Sequence, residues 1–383
     1  MGTLMPSNEI VQHMAARAGL SDIATKVLAG VRLPAADGLR LYACPDLPAV
    51  GALANIARER VSGDRTYYVR NQHINYTNVC NKGCRFCAFQ VQPKDPRGYV
   101  LSIDDVRERV KLHLSQPITE VHVVAGINPR LPFEYYLDLV RTIKQTRPGA
   151  CVKAFTMIEI HQIARVAKLS LRETVRALKE AGLDSVPGGG AEVFSDDMHE
   201  ELFRAKLSSD EWCEVARAVH AEGLRSNATL LYGMGESAEQ KVAHFEKLRA
   251  LQDETRGILC FIPLAFHPEN TELSHLPAPT GAQNLREIAI ARLMLDNIEH
   301  VKAYWIMISP EIAQVAQWYG ADDVDGSVLR EEIVHEAGAQ TPQELQVEEL
   351  ARRIREAGRV PVERDALYRE IQQDSARTAG VTA

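Results

Sequence analysis

The sequence predicts an α/β fold, a closed (β/α) barrel of the TIM type with helical extensions at its N- and C-terminal ends. Short apolar runs typical of strands alternate with amphipathic helical runs, and the strand-like runs begin roughly every 30–40 residues, the size of a unit that joins parallel strands. About six or seven such units within 383 residues favour a closed barrel. The alternation alone leaves an open, doubly wound sheet as the alternative.

The predicted strands are short runs rich in β-branched and aromatic residues, and several end at glycine or a polar loop. In chain order they are 73–80, 121–126, 151–155, 184–190, 225–233, 258–266 and 301–308, and a last unit includes 320–326. We expect the barrel core over residues 71–330. Residues 1–70 are predicted as an N-terminal helical extension, and residues 331–383 as a C-terminal helical extension packed on the barrel.

The predicted helices between these strands have apolar residues at helical spacing. They run from Ser102 to about residue 115 and then over 133–146, 171–182, 212–223, 238–254 and 284–298. Ser102 is the expected cap of the first, with Asp104 and Asp105 in its first turn. Gly182 is expected to end the third.

The composition is that of a folded chain with a large core. Hydrophobic residues make up 45% and charged residues 25%, which excludes disorder over most of the length. The 44 Lys and Arg against 51 Asp and Glu give a formal net charge of −7, and nucleic-acid binding is not expected because phosphate contacts call for a basic surface. No run approaches the ~20 apolar residues of a membrane span, and the first residues lack the apolar stretch of a signal peptide. We therefore expect a cytoplasmic protein with no membrane span.

Seven cysteines, three of them within eight residues, suggest a reducing compartment and one metal or cluster site. The cluster is Cys80-Asn-Lys-Gly-Cys84-Arg-Phe-Cys87, at the end of the first predicted barrel strand. Three thiolates on one tight loop can hold three irons of a 4Fe–4S cube and leave the fourth iron open for chemistry. The alternative is a zinc knuckle, although no second cysteine pair is present. The remaining cysteines are predicted as buried small apolar residues: Cys44, Cys151, Cys213 and Cys260.

The C-x3-C-x-aromatic-C motif at the start of a βα barrel resembles the signature of the radical S-adenosylmethionine (SAM) superfamily. The resemblance implies a radical SAM (β/α) barrel in which Cys80, Cys84 and Cys87 hold a 4Fe–4S cluster. It implies that SAM, as co-substrate, binds the fourth iron through its amino and carboxylate groups.

Further residues follow from the same resemblance. Phe86 and Phe89 are expected to flank the cluster and the adenine, and Gly126, at the end of the second strand, to meet the methionine moiety. The superfamily often has Gly-Gly where this chain has Ala125-Gly126.

The rest of the chain resembles the branch that contains the menaquinone (futalosine-pathway) and deazaflavin enzymes. The segments that carry this resemblance are 181–192 and 261–273, and those closer to the aminodeoxyfutalosine synthase family are 266–270, 295–307, 320–328 and 357–368. Asn75-Tyr76-Thr77 and Ile127-Asn128-Pro129 are closer to dehypoxanthine futalosine cyclases, and Met234 stands where the branch usually has histidine.

The resemblance implies a transferase of menaquinone biosynthesis. The 5′-deoxyadenosyl radical would add to 3-[(1-carboxyvinyl)oxy]benzoate, and aryl migration with decarboxylation would give 6-amino-6-deoxyfutalosine. The alternatives are the cyclase or a deazaflavin (FO) synthase subunit. Expected partners are a small-molecule substrate with carboxylates and a reductant such as ferredoxin or flavodoxin. A non-catalytic iron–sulfur carrier or a structural zinc protein is the alternative from another class.

A substrate with two carboxylates needs cations or hydrogen-bond donors at the carboxyl-terminal rim of the barrel. The expected substrate-binding residues are His73, Asn75, Thr77 and Tyr232, the expected cofactor-binding residues are Glu192 and Asn227, and the expected catalytic residues are His267 and Glu236. His73, Asn75 and Thr77 alternate along a predicted strand and are therefore expected on one face, pointing inward. The glycines at 188–190 are expected to approach SAM closely, with Glu192 on its ribose or ammonium group. Arg204 and Lys206 are expected at the surface.

Overall fold

The computed structural model describes residues 8–327 and 329–371. The outermost parts of the two predicted extensions, residues 1–7 and 372–383, lie outside the described residues. No helix among the described residues combines the length and the apolar composition that crossing a membrane requires.

The described residues form sixteen helices and ten strands. The strands are β1 (Arg65–Val69), β2 (Asn71–Ile74), β3 (Glu120–Val123), β4 (Cys151–Ala154), β5 (Ser185–Val186), β6 (Arg225–Tyr232), β7 (Ile258–Ala265), β8 (His300–Val301), β9 (Asp323–Gly326) and β10 (Val360–Arg364). The helices are α1 (Asn8–Arg17), α2 (Ser21–Ala29), α3 (Ala35–Ala43), α4 (Leu47–Ser62), α5 (Ile103–Lys111), α6 (Phe133–Thr146), α7 (Met157–Ala167), α8 (Leu171–Ala181), α9 (Asp196–Leu202), α10 (Ser209–Ala221), α11 (Ala238–Thr255), α12 (Gly281–Met294), α13 (Trp305–Ile308), α14 (Pro310–Ala316), α15 (Ile333–Glu336) and α16 (Val347–Glu356).

Strands β2 to β8 form one parallel sheet in chain order, and every pair of neighbours is parallel. Helices cross over between successive strands from β2 onward, as a parallel sheet requires. The predicted α/β barrel class is thereby confirmed. The predicted cap of α5 is also present, because the Asp105 amide donates to the Ser102 hydroxyl at 3.1 Å and the Ser102 amide donates to the Asp105 carboxylate at 2.8 Å.

The chain around β9 connects the two edges of this curled sheet. On one side the Ala303 amide, just past β8, donates to the Asp323 carbonyl at 2.8 Å. On the other side the His73 amide in β2 donates to the Leu329 carbonyl at 3.0 Å. A doubly wound sheet would leave its edges apart and reverse its strand order, so these bonds decide in favour of the barrel.

Strand β1 lies between β10 and β9 in a second, three-stranded parallel sheet. The sequence predicts only helices in the segments that contain β1 and β10, and the structure adds these two strands to them. Arg65 lies opposite Val360, so the pairing joins distant parts of the chain. Periodicity within a local window carries no sign of such a partner.

Three predicted strands are much shorter than expected, and the one predicted at 184–190 is reduced to β5. The predicted strand 301–308 is wrong beyond its first residues, because β8 ends at Val301 and Trp305–Ile308 is helix α13. A short apolar run without alternation fits a buried helix as well as a buried strand. The predicted strand 73–80 likewise ends early, since β2 stops at Ile74 and only isolated bridges follow, at Thr77 and Val79.

Candidate active site

A cavity of about 330 Å³ opens at the carboxyl-terminal end of the barrel strands. The three clustered cysteines line one part of it, and residues from β2, β3, β4, β6, β7 and β9 line the rest. This is where ligands bind in parallel α/β barrels, because the loops that follow the strands converge there.

The cysteine loop is held in shape by its own backbone and by one glutamine. The Cys80 amide donates to the Val91 carbonyl at 2.9 Å, and the Gln90 side chain donates to the Cys84 carbonyl at 2.8 Å. Gly83 has a φ of 61°, a conformation that favours glycine, and its amide donates to the Gln90 side-chain oxygen at 3.0 Å. The loop thus folds back on itself, and all three cysteines face the cavity.

The thiols suit a cluster better than a single ion. Among the residues described, no group of three or more His, Cys, Asp or Glu converges closely enough to hold one metal ion. Cys80, Cys84 and Cys87 line the same cavity, which is compatible with each thiol binding a different iron of one cube. Burial raises the pKa of the Cys84 thiol to about 12 and also raises that of Cys87, so these two thiols are neutral when free and iron must displace their protons.

Gly126 lies where the second barrel strand meets the cysteine loop. Its amide donates to the Thr77 carbonyl at 2.9 Å, and a Cβ placed on it would lie 2.5 Å from the Val79 carbonyl oxygen. A side chain at this position would therefore push the backbone that leads into Cys80 away from the strand. Gly126 also lines the cavity, next to Ala125.

Glu192 and Lys206 form a buried ion pair beside the cysteine loop. The Lys206 ammonium lies 5.2 Å from the centroid of the Phe86 ring, so it also makes a cation–π contact. Burial opposes the charge, yet the Glu192 carboxylate raises the pKa of Lys206 above its ordinary value. The expectation that Lys206 lies at the surface is wrong, because the chain after α9 turns inward toward the cavity.

Several residues predicted for the site line this cavity together. They are His73, Cys80, Cys84, Phe86, Cys87, Phe89, Gly126, Glu192, Asn227 and His267. The Nε2 atom of His267 lies 3.0 Å from the Met307 carbonyl oxygen and donates to it, which leaves Nδ1 for a ligand. The roles assigned to these residues stay predictions.

Four predicted site residues do not line the cavity. Asn75 donates to the Val124 carbonyl at 2.8 Å, and Thr77 donates to the Tyr99 carbonyl at 2.6 Å. Their predicted alternation with His73 does not hold, because β2 ends at Ile74 and the chain beyond it is no longer a regular strand.

The other two, Tyr232 and Glu236, are taken up by structural hydrogen bonds. The Tyr232 hydroxyl donates to the Asn284 side chain at 2.8 Å, which ties β6 to α12. Glu236 accepts from the amides of Gly233 and Met234 at 2.8 and 2.9 Å, so it stabilises the turn after β6.

Sequence reasoning missed a set of polar residues on the strands and directly after them. They are His122, Lys153, Thr229, Lys302, Tyr304 and Asp325, and all line the cavity. A polar side chain within an otherwise apolar strand run was the available signal for His122, Lys153 and Thr229. Register adds to it, since His122 lies opposite both His73 and Lys153.

The glycines after β5 lie in close contact with neighbouring protein atoms, and their approach to SAM stays a prediction. Gly188 has a φ of 73°, and a Cβ on it would lie only 1.7 Å from the Asn227 carbonyl oxygen of β6. Gly190 packs against Ile158, and a Cβ on this glycine would lie 2.4 Å from that side chain. These contacts let the loop that carries Glu192 lie directly on the strand that carries Asn227.

A buried histidine fixes the same loop from its other side. His244 of α11 accepts from the Phe194 amide at 3.1 Å through Nδ1, and its Nε2 donates to the Thr229 carbonyl at 3.0 Å. Burial lowers the pKa of His244 to about 3, so the imidazole is neutral at working pH. It joins the segment after Glu192 to β6 without adding a charge.

We expect His244→Gln to remove one source of acid sensitivity. The unfolded chain protonates this histidine at its ordinary pKa of 6.5, whereas the folded chain does so only near 3, so its contribution to stability is present above pH 6.5 and declines as the pH falls toward 3. Relative to the variant, the wild type should lose about 1.4 kcal/mol of unfolding free energy per pH unit in that window. Urea unfolding of both chains from about pH 7 to about pH 5 measures this difference. Glutamine keeps an acceptor and a donor, and parallel pH profiles would contradict the assignment.

Family models match both halves of the chain. The model of the radical SAM superfamily matches residues 74–248, and that of the CofH/MqnC C-terminal region matches residues 255–376. Together these two matches span the barrel, its cavity and most of the C-terminal segment.

Three curated relatives cover nearly the whole chain. Aminodeoxyfutalosine synthase of Thermus thermophilus is 48% identical over 92% of this chain and 96% of its own length. The protein of the same name from Streptomyces coelicolor is 36% identical over 93% and 95%. Cyclic dehypoxanthine futalosine synthase of Halalkalibacterium halodurans is 34% identical over 92% and 95%.

Solved structures resemble the fold at low sequence identity. The crystal structure of methylornithine synthase superposes with a TM-score of 0.71 at 18% identity, covering 88% of this chain and 96% of that chain. The maturase HydG of the [FeFe]-hydrogenase gives a TM-score of 0.71 at 16% identity, covering 93% and 80%. These likenesses bear on the fold alone.

Proposed function

The chain belongs to the radical SAM superfamily, and on that premise we propose that this enzyme forms 6-amino-6-deoxyfutalosine in menaquinone biosynthesis. The observation that carries the proposal is the 48% identity to the Thermus aminodeoxyfutalosine synthase over 92% of the chain. Identity to a cyclic dehypoxanthine futalosine synthase over the same share of the chain is 34%. Both matched families span the cavity, so the similarity includes the residues that face a substrate.

The proposed net reaction joins the 5′-deoxyadenosyl group of SAM to the vinyl carbon of 3-[(1-carboxyvinyl)oxy]benzoate. The aryl group moves from oxygen to carbon, one carboxylate leaves as carbon dioxide or bicarbonate, and the remaining radical gives up one electron, so the net reaction is redox-neutral. When bound, the 4Fe–4S cluster supplies the electron that splits SAM into methionine and the adenosyl radical. A small reductant such as ferredoxin or flavodoxin is the proposed source of that electron.

The residues of the chain would then bind and position the reactants. Cys80, Cys84 and Cys87 would hold the cluster, since their three thiols face one cavity from a closed loop. The Lys206–Glu192 pair beside them offers one cation and one anion, which match the carboxylate and the ammonium of a bound methionine moiety. Phe86, Phe89, Gly126 and Asn227 complete the proposed contacts with SAM.

The walls of the cavity between its polar ends are hydrocarbon. They include Val124, Ile158, Leu231, Ile262 and Leu264. Such walls exclude water from the space in which the radical would react. Their further task is positioning, because the reacting carbons must be held ~3–3.5 Å apart.

His267 is the proposed catalytic residue. Its Nε2 is fixed by the Met307 carbonyl, and the ring lines the cavity, so Nδ1 is available to accept or return a proton at a substrate oxygen. Glu236 is not part of this proposal, because it lies away from the cavity and accepts two backbone amides.

A mass-spectrometric assay tests the function. Reduced, cluster-reconstituted protein is incubated with SAM and either 3-[(1-carboxyvinyl)oxy]benzoate or dehypoxanthine futalosine. We expect a product that contains the adenosyl group with the first substrate and no turnover with the second. The cyclase alternative, which Asn75-Tyr76-Thr77 and Ile127-Asn128-Pro129 favour, predicts free 5′-deoxyadenosine with the second substrate. That outcome would contradict the proposal.

A further inference from the structure

Part of the cavity is a buried polar layer within the barrel, which the contacts proposed above for the cluster, for SAM and for His267 leave unused. We call it the deep layer and define it by His73, His122, Lys153, Lys302 and Asp325, all of which line the cavity. His73, His122 and Lys153 lie side by side in the register of β2, β3 and β4. They sit within the strands, whereas the cysteines sit on the loop beyond the strand ends.

Both lysines of the deep layer are almost completely buried, at 1% and 3% exposure. Lys153 donates to the Glu120 carboxylate at 2.8 Å, and Lys302 donates to the Asp325 carboxylate, with the Asp323 carboxylate 3.8 Å away. An ammonium group has three N–H donors. Among the described residues, Lys153 and Lys302 each use only one of their donors in a hydrogen bond. Both lysines line the cavity, so a ligand there can accept hydrogen bonds from the remaining donors. A buried donor without an acceptor is unfavourable.

The charges of the deep layer and its surroundings balance. Lys153, Lys302 and Arg364 stand against three carboxylates, Glu120, Asp323 and Asp325. A doubly charged phosphate would bring two uncompensated negative charges into this buried layer, whereas a carboxylate brings one. A carboxylate, which accepts hydrogen bonds through both of its oxygens, fits the unused ammonium donors.

The two histidines give the deep layer a flat face. The His73 and His122 rings are stacked, with centroids 4.6 Å apart and planes inclined by 18°. Such a pair offers a π surface against which an aromatic ring can pack. Planar contact beside two ammonium groups is the arrangement that an aromatic carboxylate requires.

A second, independent observation comes from β6. The Asn227 amide oxygen and the Thr229 hydroxyl are buried and have no hydrogen-bond partner within residues 8–327 and 329–371. Both side chains line the cavity and, being two residues apart on one strand, point the same way. Polar atoms left unpaired inside a protein indicate a ligand or water that completes them.

We propose that the deep layer is the subsite for the ring carboxylate of an aromatic carboxylate. The Lys153 and Lys302 ammonium groups donate to the carboxylate, the aromatic ring lies against the His73–His122 face, and the Thr229 hydroxyl donates to a further oxygen of the ligand. For the identity of the natural ligand, the benzoate end of the substrate, this inference rests on the proposed function. The binding chemistry itself does not.

The test is equilibrium binding of benzoate and 3-hydroxybenzoate to the cluster-loaded protein with SAM present, measured by isothermal titration calorimetry. We expect Lys153→Met to weaken binding by at least about tenfold and Thr229→Val by about threefold to tenfold, since loss of one hydrogen bond is worth ~1 kcal/mol and that of a charged donor more. Lys111→Met, which removes an exposed lysine from α5, is the matched control and should bind as the wild type does. Inorganic phosphate should not displace benzoate.

Thr229→Val keeps the test decisive if Lys153→Met fails to fold, because no described protein group loses a partner when this hydroxyl is removed. The proposal is overturned if wild-type protein binds no benzoate, if Thr229→Val binds it as tightly as the wild type, or if phosphate competes. Turnover separates the two proposals. Benzoate binding without product formation would contradict the proposed function alone. Product formation, with benzoate binding that the Lys153 and Thr229 substitutions do not change, would contradict the subsite alone.

Discussion

Cys84→Ala is expected to reduce SAM cleavage by more than about 100-fold. Loss of a residue that only orients a metal ligand costs up to about 100-fold, and loss of a ligand itself should cost more. Cys84 is one of three thiols on a single loop, and a cluster left with two ligands on that loop is not held in place. The folded chain should survive, because a rim thiol contributes little to a barrel core. Anaerobic purification, iron and sulfide analysis and a 5′-deoxyadenosine assay measure the effect, and circular dichroism checks the fold.

Cys213→Ala is the matched control for this experiment. Cys213 is as deeply buried as Cys84, but it lies on α10 and does not line the cavity. It should keep both iron and SAM cleavage. Normal SAM cleavage by Cys84→Ala would contradict the assignment of the cluster, and global unfolding of this variant would contradict the view that the loop sits on an independent core.

The second large effect is expected for Gly188→Ala, which should lower the free energy of unfolding by about 2–5 kcal/mol. A left-handed backbone costs a residue with a Cβ about 1–2 kcal/mol, and overpacking adds about 1–3 kcal/mol. Here the new methyl group would lie 1.7 Å from the Asn227 carbonyl oxygen, which a strand backbone cannot avoid without moving. Because Asn227 and the loop after Gly188 both face the cavity, activity should fall with stability.

Gly19→Ala separates the two contributions. Gly19 has a φ of 70°, close to the 73° of Gly188, but a Cβ there would meet nothing within 4 Å. It should lose only the backbone contribution of about 1–2 kcal/mol, and its activity should be unchanged. Urea unfolding compares the two variants, and equal losses would show that the contact with β6 is not tight.

The features that sequence reasoning found are local ones. The cysteine motif lies within eight residues, so its geometry is largely decided by the loop itself. The alternation of strands and helices gives the barrel class for the same reason, since each unit has its own periodicity. Gly126 was identified through the family resemblance, at the end of a predicted strand, and the structure adds the contact with Val79 that excludes a side chain.

What the sequence did not disclose depends on distant partners. Lys206 looks like an ordinary surface lysine until Glu192 and Phe86 are brought beside it. Lys153 is a charged residue in an apolar strand, and only the register with β3 shows that Glu120 pairs with it. The prediction for Asn75 failed in the opposite way. It assumed alternation along a strand, but β2 ends at Ile74, one residue before Asn75.

The second sheet has a consequence for how the chain is made. Strand β1 pairs with β10 on one side and β9 on the other, so the earliest strand finds both neighbours only in the last quarter of the protein. While the polypeptide is still leaving the ribosome, the barrel units can dock in succession, but the sheet stays open and its edge strand has no partner. Closing the barrel requires contacts between residues far apart in the sequence, and such contacts form slowly and late. Until synthesis is complete, the unpaired strand edge is the part of the chain most prone to aggregation and to binding by chaperones.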